Sequence, residues 1–332
     1  MTNILLEEGW SRLVGSLEQL PHALLIHGPR GVGKLVLARR FSQLLLCESP
    51  AARVPCGRCD GCRWFAEGNH PDFRLVQPEI LTQDAESGDE PPELEQAGKK
   101  SKPSIEIRVG QVRELGDFLY IGSHRGARRV ALIHPAEAMN TNAANALLKA
   151  LEEPPANAIF ILVSHEPARL LATVCSRCVR IGVPVPDRRS ALDWLESEGI
   201  ADAERWLAYA GGAPLRALEL ARGENADALV RLLDTWTSGQ APLFAVNSRE
   251  SLEFLVDVLQ KRAYDMAFAA LTGRVKYGLA VDPGPMRGGD WLAFAREMGR
   301  NRRFASRPLN PGLFAAELAA RYEDLIKSNE TH

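Results

Sequence analysis

Several features of membrane, exported and nucleic-acid-binding proteins are missing from this sequence. It contains no uncharged apolar run of about 18 residues, so we expect no membrane-spanning helix. The first 20 residues are acidic and amphipathic instead of basic and then apolar, which argues against an export leader. The 40 Lys and Arg residues against 42 Asp and Glu residues leave a formal charge of -2, so overall charge does not indicate nucleic-acid binding. We therefore expect a cytoplasmic protein without a membrane contact.

Cysteine is also scarce, with six residues in a chain of 332. In an intracellular protein such residues are more often metal ligands or buried thiols than disulfides. No internal repeat is present. With 45% hydrophobic and 25% charged residues, a chain of this length is expected to be soluble and to form two or three domains.

Apolar strands alternate with amphipathic helices over the first part of the chain. This alternation predicts an α/β fold in which helices cover both faces of a parallel sheet. The predicted strands are residues 23–28, 72–76, 128–134 and 158–164, and the predicted helices include residues 10–20, 34–46 and 140–153.

The chain changes character after about residue 186, where helical patterns replace the alternation. We expect three domains: a core over 1–186, a small helical domain over 187–224 and an all-helical domain over 225–332. A segment within the core, 82–104, has no apolar periodicity and is predicted to be a flexible surface insert. Predicted helices of the second domain are 187–198, 201–210 and 213–222, and a break is predicted at 281–290.

The stretch HGPRGVGKLVLARR, residues 27–40, has the spacing GxxxxGK of a phosphate-binding loop. In such loops glycines let backbone N–H groups approach phosphate oxygens, and the lysine reaches the β and γ phosphates. The candidate nucleotide-binding residues are Gly28, Gly31, Gly33 and Lys34. In the alternative interpretation, Lys34 only caps a structural turn.

Two positions that hold magnesium in active phosphate loops lack oxygen ligands here. Leu35 occupies the position of the usual serine or threonine hydroxyl, and His134 with Pro135 ends the strand where an acidic residue is expected. Glu137 lies three residues further on, and we expect it to be out of reach. The site is therefore predicted not to hydrolyse ATP, although ATP or ADP could still bind.

Four cysteines form the spacing of a metal-binding knuckle within residues 47–62. Cys47 is followed after eight residues by Cys56, Cys59 and Cys62, and Gly57 and Gly61 ease the turns between them. Four thiolates at this spacing predict a closed, structural Zn²⁺ site, since no coordination position is left for water or substrate. Buried free thiols and an iron–sulfur cluster are the alternatives.

The other two cysteines, Cys175 and Cys178, flank Arg177 in the sequence CSRC. A pair without a third ligand is typical of buried small residues. Arg177 has two interpretations: it pairs with a surface carboxylate, or it stabilises phosphate charge on a neighbouring chain. Arginine clusters at 125–129 and 300–307 could touch DNA phosphates or form solvated faces.

The phosphate loop, the four-cysteine knuckle, ANALLKALEEPP and CSRC occur in an order that closely resembles the bacterial clamp-loader subunits of the AAA+ superfamily. These motifs span about residues 28 to 178. The resemblance implies a helical lid over 187–224 and a helical collar over 225–332. It is to a subunit with a degenerate nucleotide site, in which Arg177 would act as an arginine finger on the adjacent motor subunit.

The resemblance also implies a function within the DNA polymerase III holoenzyme, a DNA-directed DNA polymerase. The chain would scaffold the ATP-driven loading of a sliding clamp onto primed DNA, without ATPase activity of its own. The implied partners are the motor (gamma/tau) subunits, the delta subunit, the sliding clamp and primer-template DNA. One departure from the motor subunits agrees with this role, because Leu215 stands in place of a nucleotide-sensing arginine and Arg216 is one residue out of register.

Two other functions are considered. The chain could itself be an ATP-hydrolysing motor subunit whose metal is held by other residues. It could also be a zinc-containing DNA-binding protein without a clamp-loading role.

Overall fold

The computed structural model describes residues 5–50, 53–86, 103–120, 128–223, 226–227, 229–230, 246, 248–279, 288–305 and 310–330. The chain divides into two compact units, Met1–Ser190 and Ala191–His332. The first unit contains a β-sheet with helices, and the described residues of the second unit contain helices. No helix in the described ranges has the length and apolar character needed to cross a membrane.

One parallel sheet forms the centre of the first unit, with the strand order β2-β3-β4-β1-β5. Every pairing within it is parallel, and β1 lies between β4 and β5. All residues of β3 and β4 are buried, as expected for central strands with both faces covered. The strands are β1 (Ala23–His27), β2 (Phe73–Val76), β3 (Arg129–Ile133), β4 (Ala158–Ser164) and β5 (Val179–Gly182).

In the described part of the first unit, seven α-helices lie between these strands or precede them. The apolar core includes residues of the sheet and of the helices Val109–Tyr120 and Thr141–Glu152. The helices are α1 (Glu7–Gly15), α2 (Lys34–Leu46), α3 (Asp60–Ala66), α4 (Glu79–Glu86), α5 (Val109–Tyr120), α6 (Thr141–Glu152) and α7 (Ala172–Cys175).

Helix α6 shows how the local sequence builds this core. The Asn140 side chain caps the helix by accepting a hydrogen bond from the Ala143 N–H at 2.9 Å. Leu147 and Leu151 are buried on one face, four residues apart, and α6 packs against α5. The helix ends at Glu152, shortly before two prolines that cannot continue it.

The predicted fold class is confirmed: a parallel α/β core, as the AAA+ resemblance implies, followed by helices. The four predicted strands and helix 34–46 are found within one residue of their expected ends.

The prediction missed β5, and it placed the first helix at 10–20, whereas α1 covers Glu7–Gly15 and a 3₁₀ helix covers Ser16–Gln19. The predicted insert 82–104 is wrong at its start because α4 continues to Glu86. Residues 87–102 of that insert lie outside the described ranges.

Six helices are described at the boundary of the units and in the second unit. The three predicted helices after residue 186 are found, and the longest of the six, α11 (Arg249–Thr272), packs against the two helices that follow it. The division into lid and collar stays a prediction. Residues 281–287 of the predicted break 281–290 lie outside the described ranges, and its last three residues already belong to the helix that begins at Gly288. The helices are α8 (Arg188–Ser197), α9 (Ala203–Tyr209), α10 (Pro214–Arg222), α11 (Arg249–Thr272), α12 (Gly288–Ala305) and α13 (Pro311–Glu330).

Candidate functional site

The phosphate-loop sequence lies between the carboxyl end of β1 and the start of α2, as its spacing predicts. Three glycines, Gly28, Gly31 and Gly33, have positive φ values of 153°, 80° and 92°. Gly33 precedes the first residue of α2, and a Cβ atom there would lie 2.9 Å from a methyl carbon of Leu6. The backbone and its packing therefore both require glycine at this helix start.

Lys34 is turned back onto its own loop. Its side chain is buried, with the residue 2% exposed, and its Nζ atom donates a hydrogen bond to the Pro29 carbonyl at 2.5 Å. Burial lowers the pKa of Lys34 to about 8, while the Glu137 carboxylate acts in the opposite direction. In this arrangement the ammonium group is engaged with a backbone acceptor.

Glu137 acts on this site electrostatically, although the sequence placed it out of reach of a bound magnesium ion. The chain turns after β3 into a short 3₁₀ helix, Ala136–Ala138, and this turn brings the carboxylate back toward Lys34. Glu137 Oε1 accepts a hydrogen bond from the backbone N–H of His165 at 2.9 Å. Its Oε2 atom is buried without a hydrogen-bond partner.

Two imidazoles lie beside the loop at the ends of neighbouring strands. The His134 and His165 rings are 5.3 Å apart between centroids and almost perpendicular. Burial is the main cause that lowers the pKa of each ring to about 4, and the charge of Lys34 lowers both further. Both rings are therefore neutral at pH 7, and their Nδ1 atoms are buried without a hydrogen-bond partner.

The positions expected to hold magnesium offer few oxygen atoms. Leu35, directly after Lys34, is half-buried in the first turn of α2, and His134 follows β3. Magnesium prefers carboxylate, carbonyl, hydroxyl and phosphate oxygens. Glu137 is the carboxylate that this structure adds to the predicted site.

The four cysteines of the predicted knuckle come together. Cys47 follows α2, Cys59 caps α3 and Cys62 lies within α3. All four Sγ atoms lie within 4.8 Å of one another, and two pairs are separated by 3.9 Å (Cys47 and Cys59) and 4.0 Å (Cys56 and Cys62). The spacing prediction is thus matched by a compact sulfur cluster.

Backbone groups support this cysteine cluster. The N–H groups of Cys56, Cys59 and Cys62 donate to the Sγ atoms of Cys47, Cys56 and Cys59 at 3.3, 3.4 and 3.4 Å. A Cβ atom on Gly61 would lie 2.7 Å from the Leu46 carbonyl oxygen, so only glycine fits where the knuckle meets the end of α2. Burial raises the pKa of the Cys62 thiol to about 12 without a metal, and a bound cation would oppose this effect.

Arg177 lies on the surface between two buried cysteines. Its side chain is 33% exposed; Nη1 donates to the Thr173 carbonyl at 2.8 Å and Nη2 to Glu152 Oε1 at 2.5 Å. Burial raises the pKa of the Cys178 thiol to about 12, and both Cys175 and Cys178 are buried. The two thiols are therefore packing residues, as the sequence indicated, and the surface pairing considered for Arg177 is present.

The arginine clusters are only partly described. Arg129 cannot serve as a surface DNA contact because it is 4% exposed and pairs with buried Asp72, with Nε 3.3 Å from Oδ1. Residues 125–127 and 306–307 of the predicted clusters lie outside the described ranges. In the second unit, Arg216 pairs with Glu219 at 2.8 Å.

Sequence reasoning missed two residues of these sites. His165 lies beside the loop, where the charge of Lys34 acts on its ring, and Glu152 contacts Arg177. His165 follows β4, and the carboxyl end of a parallel strand was a usable signal. The pairing of Glu152 with Arg177 joins residues 25 positions apart, and no local pattern indicates it.

The chain is similar in sequence to known subunits of DNA polymerase III. A family model described as "DNA polymerase III, delta subunit" matches residues 8–186. The chain is 43% identical over 215 residues to the DNA polymerase III subunit delta' of Pseudomonas aeruginosa, which covers 64% of this chain and 58% of that protein. It is 35% identical over 207 residues to the subunit delta' of Escherichia coli, covering 61% and 55%. The matched part thus spans between half and three fifths of these relatives.

Two further similarities cover more of the chain. The DNA polymerase III subunit tau of Escherichia coli is 28% identical over 312 residues, which is 92% of this chain and 43% of tau. A solved structure of a DNA polymerase III gamma subunit-related protein from Thermotoga maritima is 17% identical with a TM-score of 0.43, covering 95% of this chain and 99% of that one.

Proposed function

The chain belongs to the family of DNA polymerase III delta-prime subunits, and from this premise we propose that it is a non-hydrolysing subunit of a clamp loader. In this role it scaffolds the ATP-driven loading of a sliding clamp onto primed DNA. Its partners are the motor subunits of the gamma/tau type, the delta subunit, the clamp and, through the complex, primer-template DNA. We propose that it acts in the cytoplasm.

One observation carries the non-hydrolysing role: Leu35 and His134 occupy the two positions that should supply oxygen to magnesium. Magnesium supplies charge neutralisation during phosphoryl transfer. Glu137 supplies a carboxylate near the loop, but Leu35 supplies no hydroxyl to complete the pair of magnesium ligands. Lys34 donates a hydrogen bond to the Pro29 carbonyl, an acceptor that a phosphate oxygen would have to replace. If ATP or ADP binds, the glycines of the loop and Lys34 would hold its phosphates.

The second part of the proposal assigns Arg177 as an arginine finger that acts on the adjacent motor subunit. Its guanidinium is partly exposed and lies outside the chain's own phosphate loop, in a separate α7–β5 turn. An arginine in this role stabilises charge on the transferring phosphoryl group, and in GTPases it is worth roughly 10³ to 10⁵ in rate. The phosphate loop would then be retained for its part in the fold, while Arg177 would contribute to catalysis at the nucleotide site of the adjacent subunit.

The finger is tested in a complex reconstituted from this chain and its motor and delta subunits. Arg177→Ala should leave assembly intact and lower DNA-stimulated ATP turnover severalfold. Arg180→Ala, an exposed arginine three residues along the chain, is the matched control and should leave turnover unchanged. Wild-type turnover with Arg177→Ala would contradict the finger.

We also propose that the cysteine cluster holds a structural Zn²⁺. With Zn–S bonds of about 2.3 Å, tetrahedral geometry separates sulfurs by about 3.8 Å. Two of the observed separations, 3.9 and 4.0 Å, are close to this value, and all four sulfurs lie within 4.8 Å of one another. Four thiolates leave no position open for substrate, so the metal would stabilise the knuckle and take no part in chemistry.

Metal analysis of the purified chain tests the zinc proposal. We expect about one zinc per chain, and a clear loss of zinc in Cys59→Ser. Cys178→Ser, a buried cysteine outside the cluster, is the control and should retain the metal. Iron in place of zinc, or a metal content that Cys59→Ser does not change, would contradict the proposal.

A further inference from the structure

The guanidinium group of Arg177 is held at two points by its own chain. Nη1 donates to the Thr173 carbonyl one helical turn earlier, and Nη2 donates to Glu152 at the end of α6. The contacts come from different elements, because Thr173 belongs to α7 and Glu152 to α6. They fix the direction of the guanidinium plane relative to the core.

Stability does not account for this pairing. The side chains of Arg177 and Glu152 are 33% and 52% exposed, and ion pairs at such exposure contribute little to folding. Glu152 is also the last residue of α6, where a negative charge faces the negative end of the helix dipole and is unfavourable. A carboxylate at this position therefore needs a reason other than helix stability.

The pairing still leaves the arginine able to bind an anion. A guanidinium has five N–H donors in a rigid fork, and the two contacts use one donor on each Nη atom. Three donors stay available, one on Nε and one on each Nη. A phosphate could accept from these donors without displacing Glu152.

We propose that Glu152 is a positioning residue for the arginine finger: by holding Nη2, it keeps the guanidinium of Arg177 oriented toward the phosphates of the adjacent subunit. This inference rests on the proposed function of Arg177. Glu152 itself touches no substrate and acts only through the arginine. Orientation of this kind raises the rate of the chemical step, because small displacements of a catalytic group cost much of its effect.

The test uses the reconstituted complex with Glu152→Ala and Glu152→Gln. Glu152→Ala should lower kcat for ATP about fivefold, below the roughly 10²-fold that a 1 Å displacement can cost. The KM for ATP should change little, because the finger acts on the transition state. Glu152→Gln keeps an oxygen acceptor without the charge and should give an intermediate kcat. A rise in kcat with either variant would show that Glu152 restrains the finger, and would overturn the proposal.

Glu153→Ala is the matched control, since this neighbouring glutamate is exposed and outside the pair. It should leave kcat unchanged, and all variants should assemble and melt like the wild type. A kcat loss in Glu153→Ala equal to that of Glu152→Ala would overturn the proposal.

A double variant separates this inference from the proposed function. In the Arg177→Ala background, Glu152→Ala should cause no further loss of kcat, because the residue it positions is absent. An additional loss would assign Glu152 a structural role and overturn the inference. If Arg177→Ala alone has no effect, the finger itself fails. If Arg177→Ala lowers kcat while Glu152→Ala matches wild type, only the positioning role fails.

Discussion

Lys34 and Pro29 are joined within the phosphate loop: the lysine ammonium donates to the proline carbonyl at 2.5 Å. The residue is almost entirely buried, and burial lowers its pKa to about 8. At pH 7 the group is therefore still mostly charged, and the loop's own backbone supplies the acceptor. In a phosphate loop with bound nucleotide, the lysine at this position donates to phosphate oxygens.

The first prediction concerns this lysine. Lys34→Met keeps the length and most of the volume of the side chain while removing the charge. We expect ATP turnover of the reconstituted complex to stay within about twofold of wild type. In the proposed function this chain hydrolyses no ATP, so Lys34 stabilises no transition state. Turnover by the isolated chain should be negligible with either residue. Measurable turnover by the isolated wild-type chain that Lys34→Met abolishes would identify a motor subunit instead.

The second prediction concerns acid stability. The His134 and His165 pKa values are lowered to about 4 in the folded chain, against 6.5 for an ordinary histidine. Between these values the unfolded chain binds more protons, so the free energy of unfolding falls as pH drops from about 6.5 toward 4. The charges that face the rings are those of Lys34, Glu137 and Arg30.

This effect is measured by urea unfolding at pH 7.5 and pH 5.5. After allowance for solvent screening, the wild type should lose about 1 to 2 kcal/mol over this interval through the two histidines. The double variant His134→Gln, His165→Gln should lose correspondingly less, while the cysteine cluster contributes equally to both proteins. Equal losses in the two proteins would refute the assignment.

The third prediction concerns a buried carboxylate in the second unit. Asp265 is fully buried, and its two oxygens accept hydrogen bonds from the backbone N–H groups of Lys276, Tyr277 and Leu279 at 2.7, 2.8 and 2.9 Å. Asp265→Asn turns an amide NH₂ or an uncharged oxygen toward these donors and should cost about 1 to 3 kcal/mol in the free energy of unfolding. Asp324→Asn, on an exposed helix face, is the control and should change it by less than about 0.5 kcal/mol. Chemical denaturation measures the free energy of unfolding of both variants, and equal values would contradict the prediction.

The fourth prediction concerns the knuckle. Gly61→Ala places a Cβ atom 2.7 Å from the Leu46 carbonyl, so the backbone beside Cys62 must move. We expect zinc affinity, measured by competition with a chelator, to fall at least about tenfold, since displaced ligands weaken a tetrahedral site. Gly110→Ala meets no atom within 4 Å and serves as the control. Equal affinities in the two variants would mean that the close approach at Gly61 is unimportant.

The local features of this protein were readable from its sequence. Buried strands such as Ala158–Ser164 are continuous apolar runs, helix Lys34–Leu46 begins directly after a glycine-rich turn, and the four-cysteine spacing indicated a cluster. Each depends on residues close together in the chain, where periodicity, turn chemistry and ligand spacing act directly. The edge strand Val179–Gly182 was missed because two of its four residues are exposed, so no apolar run marks it.

Tertiary structure decided how distant segments meet. The position of Glu137 depended on the 3₁₀ turn after β3, and its approach to Lys34 required β1 and β3 to share one sheet with β4 between them. The contact between Arg177 and Glu152 likewise required α6 and α7 to pack side by side. The sequence alone determined which elements form, since short-range preferences act within each segment. Only the packed sheet and helices decided which charges face each other, because those contacts join segments that no local pattern links.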